Sequence, residues 1–240
     1  MSKITVAVIA AGGKGTRLKE KTGGKIPKGL VHICGKPILS YQLEALSKAG
    51  IRDVHISFGN RKFVNLFKTY VKNNLVPEMN YEYSIHRYNA LYTFKNVNLN
   101  FFLKDRPFIF SFDDLFYTES VIKRILDQYK EKKCSIILKS PIVECKTDIE
   151  FILQDNYIVS WKKTDFPTWT VGPILVLDEK ANKIFFEEMK KQRPDKLMFL
   201  KTCITKKIKV YTLEQIEPLI NINRLRDFYR AEMEIRKLKS

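Results

Sequence analysis

The sequence predicts one α/β domain over residues 1–240, built on a mixed, mostly parallel sheet with helices on both faces. Close to the N-terminus, the unbroken apolar run from Val6 to Ala11 is typical of a strand that is buried on both sides. Stretches with strand and helix periodicity then alternate through residue 86, which is the pattern of parallel strands joined by crossover helices. A chain of 240 residues is long enough for one such domain with a large core.

Apolar spacing and glycine breaks define the elements of the first half of the chain. Pro37 suits the first position of a helix, where the N–H that it lacks would have no partner anyway. Gly50 suits the end of that helix, and Gly59 ends the strand that follows. The predicted elements are a strand at 6–11, a turn at 34–35, a helix at 37–49, a strand at 51–58, a helix at 63–74 and a strand at 81–86.

The second half of the chain contains further strands and three helices with one apolar face each. Pro107 to Phe112 is an apolar run that predicts a buried strand. Asp155-Asn156 separates two strand-like stretches and predicts a β-hairpin. The predicted elements are strands at 107–112, 134–138, 148–153, 157–161, 174–177 and 209–213, and helices at 118–129, 178–192 and 225–238.

Composition excludes several classes of protein. An apolar share of 45%, with 16 Phe and 11 Tyr, argues against disorder. No stretch reaches the roughly 18 apolar residues of a membrane helix, and we recognise no signal peptide. We therefore expect a cytoplasmic protein whose 4 cysteines remain thiols. The net charge of +17 is spread along the chain without a basic arm, so nucleic-acid binding is an alternative function and not the main prediction.

A glycine-rich turn with cations nearby follows the first strand. Residues 12–15 read GGKG, and Arg17, Lys25 and Lys28 come shortly after them. Glycines let the backbone approach a ligand closely with free N–H groups, and the cations add positive charge, so this stretch predicts a phosphate site. A dinucleotide fingerprint would need a third glycine where Leu18 stands, and the Gly-Lys-Ser/Thr of a P-loop is missing, so both motifs are excluded.

The sequences AGGKGTRL at 11–18 and PKGL at 27–30 together resemble the signature of the nucleotidyltransferases that make nucleotide sugars and related activated phosphates. The resemblance implies a nucleotide-diphospho-sugar transferase fold and transfer of a nucleotidyl group from a nucleoside triphosphate to a phosphorylated metabolite. It further implies that Arg17 and Lys28 are catalytic. The implied nucleotide-binding residues are Ala10, Ala11, Gly12, Gly13, Gly15, Thr16, Arg17, Lys28, Asn89 and Asp113.

Two adjacent carboxylates, Asp113 and Asp114, end the strand at 107–112. Carboxylates beside a buried strand are costly unless they are neutralised, and Mg²⁺ neutralises them well. In the family a Gly-Asp pair stands here and its aspartate binds the metal, so either carboxylate could contact the ion, with register favouring Asp114. The implied second metal ligand is Asn223, with Asn221 as the alternative. Helix capping is the competing explanation for the aspartates and for the asparagines.

The implied binding site for the acceptor consists of Lys163 and Gly172. The family carries a Glu-Lys-Pro motif at the end of a comparable strand, whereas here Lys162 and Lys163 follow Trp161 and the glutamate and the proline are missing, so Lys163 is either a ligand of the acceptor phosphate or a surface lysine. Residues 170–173 resemble a stretch in which glycine lets the acceptor lie against the backbone. Asn89 either takes part in base recognition or caps a short helix.

The sequence constrains the type of reaction more closely than it constrains which nucleoside triphosphate is the donor and which phosphorylated metabolite is the acceptor. The region of Asn89 slightly favours CTP as the donor, and a sugar phosphate, a polyol phosphate or phosphocholine could be the acceptor. The alternatives to an enzyme are a non-catalytic nucleotide-binding module of the same fold and a basic nucleic-acid-binding protein. Because Arg17, Lys28 and Asp114 are all present, the enzyme is the preferred prediction.

Overall fold

A central sheet dominates the computed structural model. The structure describes residues 3–11, 18, 23, 25–59, 63–73, 76, 79–85, 103, 106–141, 149–191, 196–214 and 218–239. The strands are β1 (Val6–Ala11), β2 (His32–Ile33), β3 (Lys36–Pro37), β4 (Asp53–Phe58), β5 (Asn80–Ile85), β6 (Phe108–Phe112), β7 (Leu115–Tyr117), β8 (Ser135–Pro141), β9 (Ile149–Gln154), β10 (Tyr157–Lys163), β11 (Trp169–Leu177), β12 (Val210–Leu213) and β13 (Leu219–Asn221). The helices are α1 (Ile38–Lys48), α2 (Val64–Asn73), α3 (Glu119–Lys132), α4 (Glu179–Met189), α5 (Lys196–Thr205) and α6 (Leu225–Lys237), and Lys28–Leu30 forms a 3₁₀ turn.

The nine strands of this sheet follow the order β5-β4-β1-β6-β11-β8-β12-β10-β9. β1 is parallel to both of its neighbours, β4 and β6, and β5 continues the parallel arrangement. β12 is parallel to β8, whereas β11 pairs antiparallel with β6 and β8. β10 pairs antiparallel with β12 and β9. The predicted mixed sheet, with β1 in its parallel part, is confirmed.

Both faces of the sheet are covered, as the apolar run of β1 predicts. Ala7 and Ile9 face a core that contains apolar residues of α1, α2 and α3. Val6 and Val8 face a second core, to which α4 and α5 contribute. Every residue of β1 is buried. An all-apolar strand fits this position because successive side chains point to opposite faces, and here both faces are cores.

A third, smaller core lies between α6 and two short strand pairs. β2 pairs with β3, and β7 pairs with β13. Phe116 of β7 and Ile220 of β13 pack with Phe228 and Ala231 of α6. This core holds the chain before α6 against the chain after β6, two segments about a hundred positions apart in the sequence. That packing sets the geometry of the candidate site.

Three details differ from the predictions made from the sequence. Pro37 was predicted as the first helical residue but precedes α1 with an extended backbone (φ −59°, ψ 148°). α5 was not predicted because its own apolar residues are distributed around the helix and produce no helical periodicity. β7 and β13 have only three residues each, too few for an alternating pattern.

Two expectations from composition also have a structural counterpart. Cys34, Cys134 and Cys203 are free thiols, as expected. Within the described ranges, no helix combines the length and the apolar character needed to cross a membrane.

One buried histidine makes the stability of the fold depend on pH. His55 of β4 is only 1% exposed, and its Nε2 lies 2.8 Å from the Ser84 hydroxyl of β5, which donates to Ser57. Burial lowers the pKa of His55 from 6.5 to about 4. The imidazole is therefore neutral in the folded protein at pH values where it is protonated in the unfolded chain.

We expect the free energy of unfolding to fall as the pH drops from 6.5 towards 4. In that window the unfolded chain binds a proton at His55 and the folded protein does not, so acid favours unfolding by up to ~3 kcal/mol. Urea unfolding of the protein and of a His55→Gln variant at several pH values isolates this contribution. A difference between the two that stays constant from pH 7 to pH 4.5 would contradict it.

Candidate active site

The carboxyl end of β1 meets the turn that joins β6 to β7. Asp113 N–H donates to the Ala10 carbonyl over 3.2 Å, and Gly59 N–H donates to the Ala11 carbonyl over 2.9 Å. The turn that carries the two aspartates is thus attached directly to the last residues of β1. In parallel sheets, ligands bind beyond the carboxyl ends of the strands, so this is the edge where a nucleotide site is expected.

Three residues that lie far apart in the sequence meet at this edge. Lys28 Nζ donates to Asp114 Oδ2 and to Asn223 Oδ1, each over 2.7 Å. The Lys28 side chain is 7% exposed and that of Asp114 is 16% exposed, so the ion pair is largely shielded from water. Charge-assisted contacts of this length in such surroundings are strong and well oriented.

The segment before α6 brings Asn223 to this position. Ile222 N–H donates to the Asp114 carbonyl over 2.8 Å. Asp227 Oδ2 accepts hydrogen bonds from the backbone N–H of Asn223 (3.0 Å) and of Arg224 (2.9 Å). Asp227 therefore caps the start of α6, a role that the sequence left open for the asparagines. The side-chain oxygen of Asn223 is instead directed to Lys28.

The two asparagines are linked to each other. Asn223 Nδ2 donates to Asn221 Oδ1 over 2.6 Å. With its nitrogen engaged in this way, Asn223 presents its oxygen to the cation. Asn221 supports that orientation from the end of β13. Whether Asn223 or Asn221 binds a metal stays a prediction, and the observed orientation favours Asn223.

The adjacent carboxylates have different surroundings. Asp113 is 4% exposed and its Oδ2 accepts the Gly29 N–H over 3.2 Å. Burial and the neighbouring Asp114 raise the pKa of Asp113 to about 7, although Lys28 and the Gly29 N–H act in the opposite direction. The Asp113 carboxylate thus binds the PKGL stretch through a buried hydrogen bond to Gly29. The Asp114 carboxylate contacts the ammonium group of Lys28. The contact of Asp113 with nucleotide stays a prediction.

The two side-chain oxygens that accept hydrogen bonds from Lys28 Nζ are also suitable ligands for Mg²⁺. A carboxylate oxygen and an amide oxygen converge on one positively charged atom, and oxygen ligands are what Mg²⁺ prefers. In the part of the chain that the structure describes, no group of three or more His, Cys, Asp or Glu could hold a metal. A magnesium ion here would accordingly complete its coordination with water and phosphate, as Mg²⁺ commonly does.

Gly29 needs to be a glycine because of Asp113. A Cβ on Gly29 would lie 3.0 Å from Asp113 Oδ2, 3.1 Å from its Cβ and 3.2 Å from its carbonyl oxygen. These approaches are tighter than ordinary van der Waals contact, so an alanine would push the buried carboxylate away.

We expect Gly29→Ala to destabilise the protein by ~1–3 kcal/mol through this overpacking. Trimming the obstructing side chain should relieve most of the strain, so Gly29→Ala combined with Asp113→Gly should be more stable than the sum of the two single changes predicts. Urea unfolding of the three variants measures the coupling. Strict additivity would show that the two residues do not press on each other.

The remaining predicted residues fall into two groups. Lys163 is exposed at the end of β10, five strands away from β1 in the sheet order. Gly172 lies in β11, where a Cβ would come 2.8 Å from the Leu138 carbonyl oxygen of β8, so strand packing by itself requires a glycine there. Their acceptor-binding roles stay predictions. Outside the described residues lie Gly12, Gly13, Gly15, Thr16, Arg17 and Asn89.

One buried residue beside the aspartate pair was not predicted from the sequence. Gln42 of α1 is fully buried, and its Nε2 donates to backbone carbonyls on both sides of the aspartate pair. A signal exists in the sequence, because Gln42 stands at helical spacing among Leu39, Leu43 and Leu46 on the buried face of α1. A polar residue in such a stripe needs a buried partner.

The chain is similar to proteins and structures that are named as nucleotidyltransferases. A family model described as the MobA-like NTP transferase domain matches residues 7–143. A putative mannose-1-phosphate guanyltransferase of Sulfolobus acidocaldarius is 26% identical over 239 residues, covering 97% of this chain and 64% of the relative. The mannose-1-phosphate guanylyltransferase catalytic subunit beta of Danio rerio is 56% identical over 48 residues, 20% of this chain and 13% of that protein.

The fold also has close counterparts among solved structures. A UDP-glucose pyrophosphorylase complexed with UDP-glucose superposes with a TM-score of 0.72 at 19% identity, over 98% of this chain and 99% of the other. This likeness confirms the predicted nucleotide-diphospho-sugar transferase fold. The chain spans less than two thirds of the length of the two relatives named above. Because the family model matches more than half of the chain, including Lys28 and Asp114, the protein belongs to the family of the MobA-like NTP transferase domain.

Proposed function

We propose that the protein is a nucleotidyltransferase that joins the nucleoside monophosphate part of a nucleoside triphosphate to a sugar phosphate and releases pyrophosphate. The observation that carries this proposal is the convergence of Lys28, Asp114 and Asn223 at the carboxyl end of β1. Family membership supports it. The relatives are named for mannose 1-phosphate and UDP-glucose, which favours a sugar phosphate as the acceptor.

In the proposed reaction, an oxygen of the acceptor phosphate attacks the α-phosphorus of the triphosphate in line. A new P–O bond forms while the bond to the bridging oxygen breaks, and that oxygen leaves with pyrophosphate. No covalent intermediate with the protein is needed, so positioning and charge neutralisation provide the catalysis. Lys28 would balance the negative charge that grows on the α-phosphoryl group.

The rest of the triphosphate would be bound by the glycine-rich stretch. Backbone N–H groups of Gly12, Gly13 and Gly15 would hold the phosphates, with Ala10, Ala11 and Thr16 beside them. Arg17 would grip the leaving phosphates with its planar guanidinium group. When Mg²⁺ is bound, it would neutralise phosphate oxygens, and Asp114 and Asn223 are the residues that would hold it. An asparagine oxygen is neutral, so it would bind the ion less strongly than a carboxylate does.

The identity of donor and acceptor is the finer part of the proposal. The relatives point to guanosine and uridine donors, so GTP and UTP stand beside CTP, which the sequence slightly favours. Asn89 would contribute to base recognition, and Lys163 and Gly172 would contact the acceptor. Polyol phosphates and phosphocholine remain alternatives to a sugar phosphate.

A two-way substrate screen tests the proposal. The protein is incubated with Mg²⁺, one of GTP, UTP, CTP, ATP or dTTP, and one of a set of sugar 1-phosphates, polyol phosphates and phosphocholine. We expect pyrophosphate release that needs both substrates, together with a product whose mass identifies donor and acceptor. Nucleotide binding without pyrophosphate release from any pair would instead indicate a non-catalytic module of the same fold.

The strong positive charge favours one further candidate function, which is nucleic-acid binding. Binding to a phosphate backbone weakens steeply between low and physiological salt. A salt titration with labelled single- and double-stranded oligonucleotides therefore separates this candidate from the enzyme. Tight, salt-dependent binding without pyrophosphate release would favour it.

A further inference from the structure

Gln42 holds the turn that carries the two aspartates. Its Nε2 donates to the Phe112 carbonyl over 2.9 Å and to the Leu115 carbonyl over 2.6 Å. These carbonyls immediately precede and follow Asp113-Asp114, so one side-chain amide connects both ends of the turn. The two hydrogens of the amide nitrogen match the two acceptors, which also fixes the orientation of the amide group.

The side chain that makes this bridge is buried and belongs to another element. Gln42 is 0% exposed and lies on the face of α1 that packs on the sheet. Carbonyl oxygens shielded from water need a donor, because a buried acceptor without one costs free energy. β6 ends and β7 begins at these two carbonyls, and in this part of the chain Gln42 provides a side-chain donor to both.

Other hydrogen bonds also hold the turn. The Asp113 carboxylate accepts the Gly29 N–H, and the remaining bonds are made by backbone groups of the turn. Asp113 N–H donates to the Ala10 carbonyl, and the Asp114 carbonyl accepts the Ile222 N–H. These bonds fix the turn from the sides of β1 and β13, and Gln42 fixes it from α1. With the turn in this shape, the Asp114 carboxylate and the Asn223 side chain both contact Lys28 Nζ.

We infer that Gln42 is a positioning residue for the proposed reaction. It holds the Asp113-Asp114 turn in the shape that directs the Asp114 carboxylate at Lys28 Nζ and the proposed Mg²⁺ site. The inference rests on the proposed function, since it assigns the site a purpose. Gln42 contacts the backbone of the turn, so it would act on the Asp114 carboxylate indirectly. Residues that orient a metal ligand from behind commonly affect metal affinity or activity by ~10–100-fold when they are changed.

The test measures Mn²⁺ binding, with free Mn²⁺ followed by electron paramagnetic resonance, in the full chain without nucleotide. Gln42→Met replaces the amide by an apolar side chain of similar length and so removes both hydrogen bonds. Leu46→Ala is the matched control, because it removes buried packing from the same helix and leaves both hydrogen bonds of Gln42 in place. Asp114→Asn reports on the metal site itself. Should Gln42→Met fail to fold, Gln42→Glu keeps the shape and can donate at most one hydrogen bond.

We expect the Mn²⁺ dissociation constant to rise ~10-fold or more in the Gln42 variant and to stay within about twofold of wild type in folded Leu46→Ala. With the substrate pair found by the screen, kcat should fall more than KM changes. If Asp114→Asn weakens Mn²⁺ binding and the Gln42 variant does not, the inference about Gln42 is wrong and the proposed function stands. If wild type binds no Mn²⁺, or Asp114→Asn leaves binding unchanged, the proposed metal site fails and the inference fails with it.

Discussion

Lys28→Met is expected to lower kcat by ~10²–10³, because it removes a preorganised positive charge from the place where the α-phosphoryl group would react. Methionine keeps much of the length of the lysine stem, so the loss reports on the ammonium group. In the structure that group is shared between Asp114 and Asn223 at 2.7 Å each. Steady-state pyrophosphate release with the substrate pair from the screen measures the effect.

The matched control for this change is Lys130→Met, which removes an exposed lysine of α3 that pairs with Asp127 on the surface of the same helix. Surface pairs of this kind contribute little, so activity should stay close to wild type. A Lys28→Met protein that folds and turns over within about threefold of wild type would contradict the role of Lys28. A comparable loss in both variants would show that the effect comes from net charge alone.

Asp114→Asn should reduce kcat to a similar extent, ~10²–10³. The substitution preserves shape but replaces a charged oxygen by a neutral amide, so both the ion pair with Lys28 and the proposed grip on Mg²⁺ are weakened. The Mg²⁺ concentration needed for half-maximal turnover should rise together with the loss of activity. Kinetics over a range of Mg²⁺ concentrations measures both quantities in one experiment.

The neighbouring residue provides the control. Asp113→Asn retains an oxygen that can accept the Gly29 N–H, so we expect a much smaller loss than at Asp114. The opposite ranking, with Asp113 as the more sensitive position, would mean that the buried carboxylate reaches the metal and that the assignment by register is wrong.

Lys28 and Asp114 should also behave as one unit. Because each neutralises the other, the double variant Lys28→Met with Asp114→Asn should lose less activity than the product of the two single losses. Independent, fully multiplicative losses would indicate that the contact seen between them has no part in the reaction.

Local signals in the sequence predict much of the fold. β1 is recognisable because all six of its residues are apolar, and both faces of the strand are indeed cores. The β9–β10 hairpin is recognisable from Asp155-Asn156, which adopt positive φ angles of 51° and 66°, as such a turn requires. In both cases the information lies within a few neighbouring residues.

The candidate site depends on contacts that no local pattern encodes. Asn223 reaches Lys28 because a small core sets α6 and β13 against β7, and neither short strand has a periodic signal. Family resemblance supplied Lys28, Asp114 and Asn223 as candidates and implied that Asp114 and Asn223 share a metal, but it did not indicate that Lys28 contacts both. Gln42 was missed because a single polar residue on an apolar helix face does not reveal which carbonyls it will bind.

The most direct test of this site is a crystal structure with Mn²⁺ and the nucleoside triphosphate selected by the screen, in which the metal is located by anomalous diffraction. We predict an anomalous peak within coordination distance of Asp114 and Asn223 side-chain oxygens, with Lys28 Nζ in contact with a phosphate. A peak elsewhere, or a triphosphate bound away from the carboxyl end of β1, would contradict the assignment.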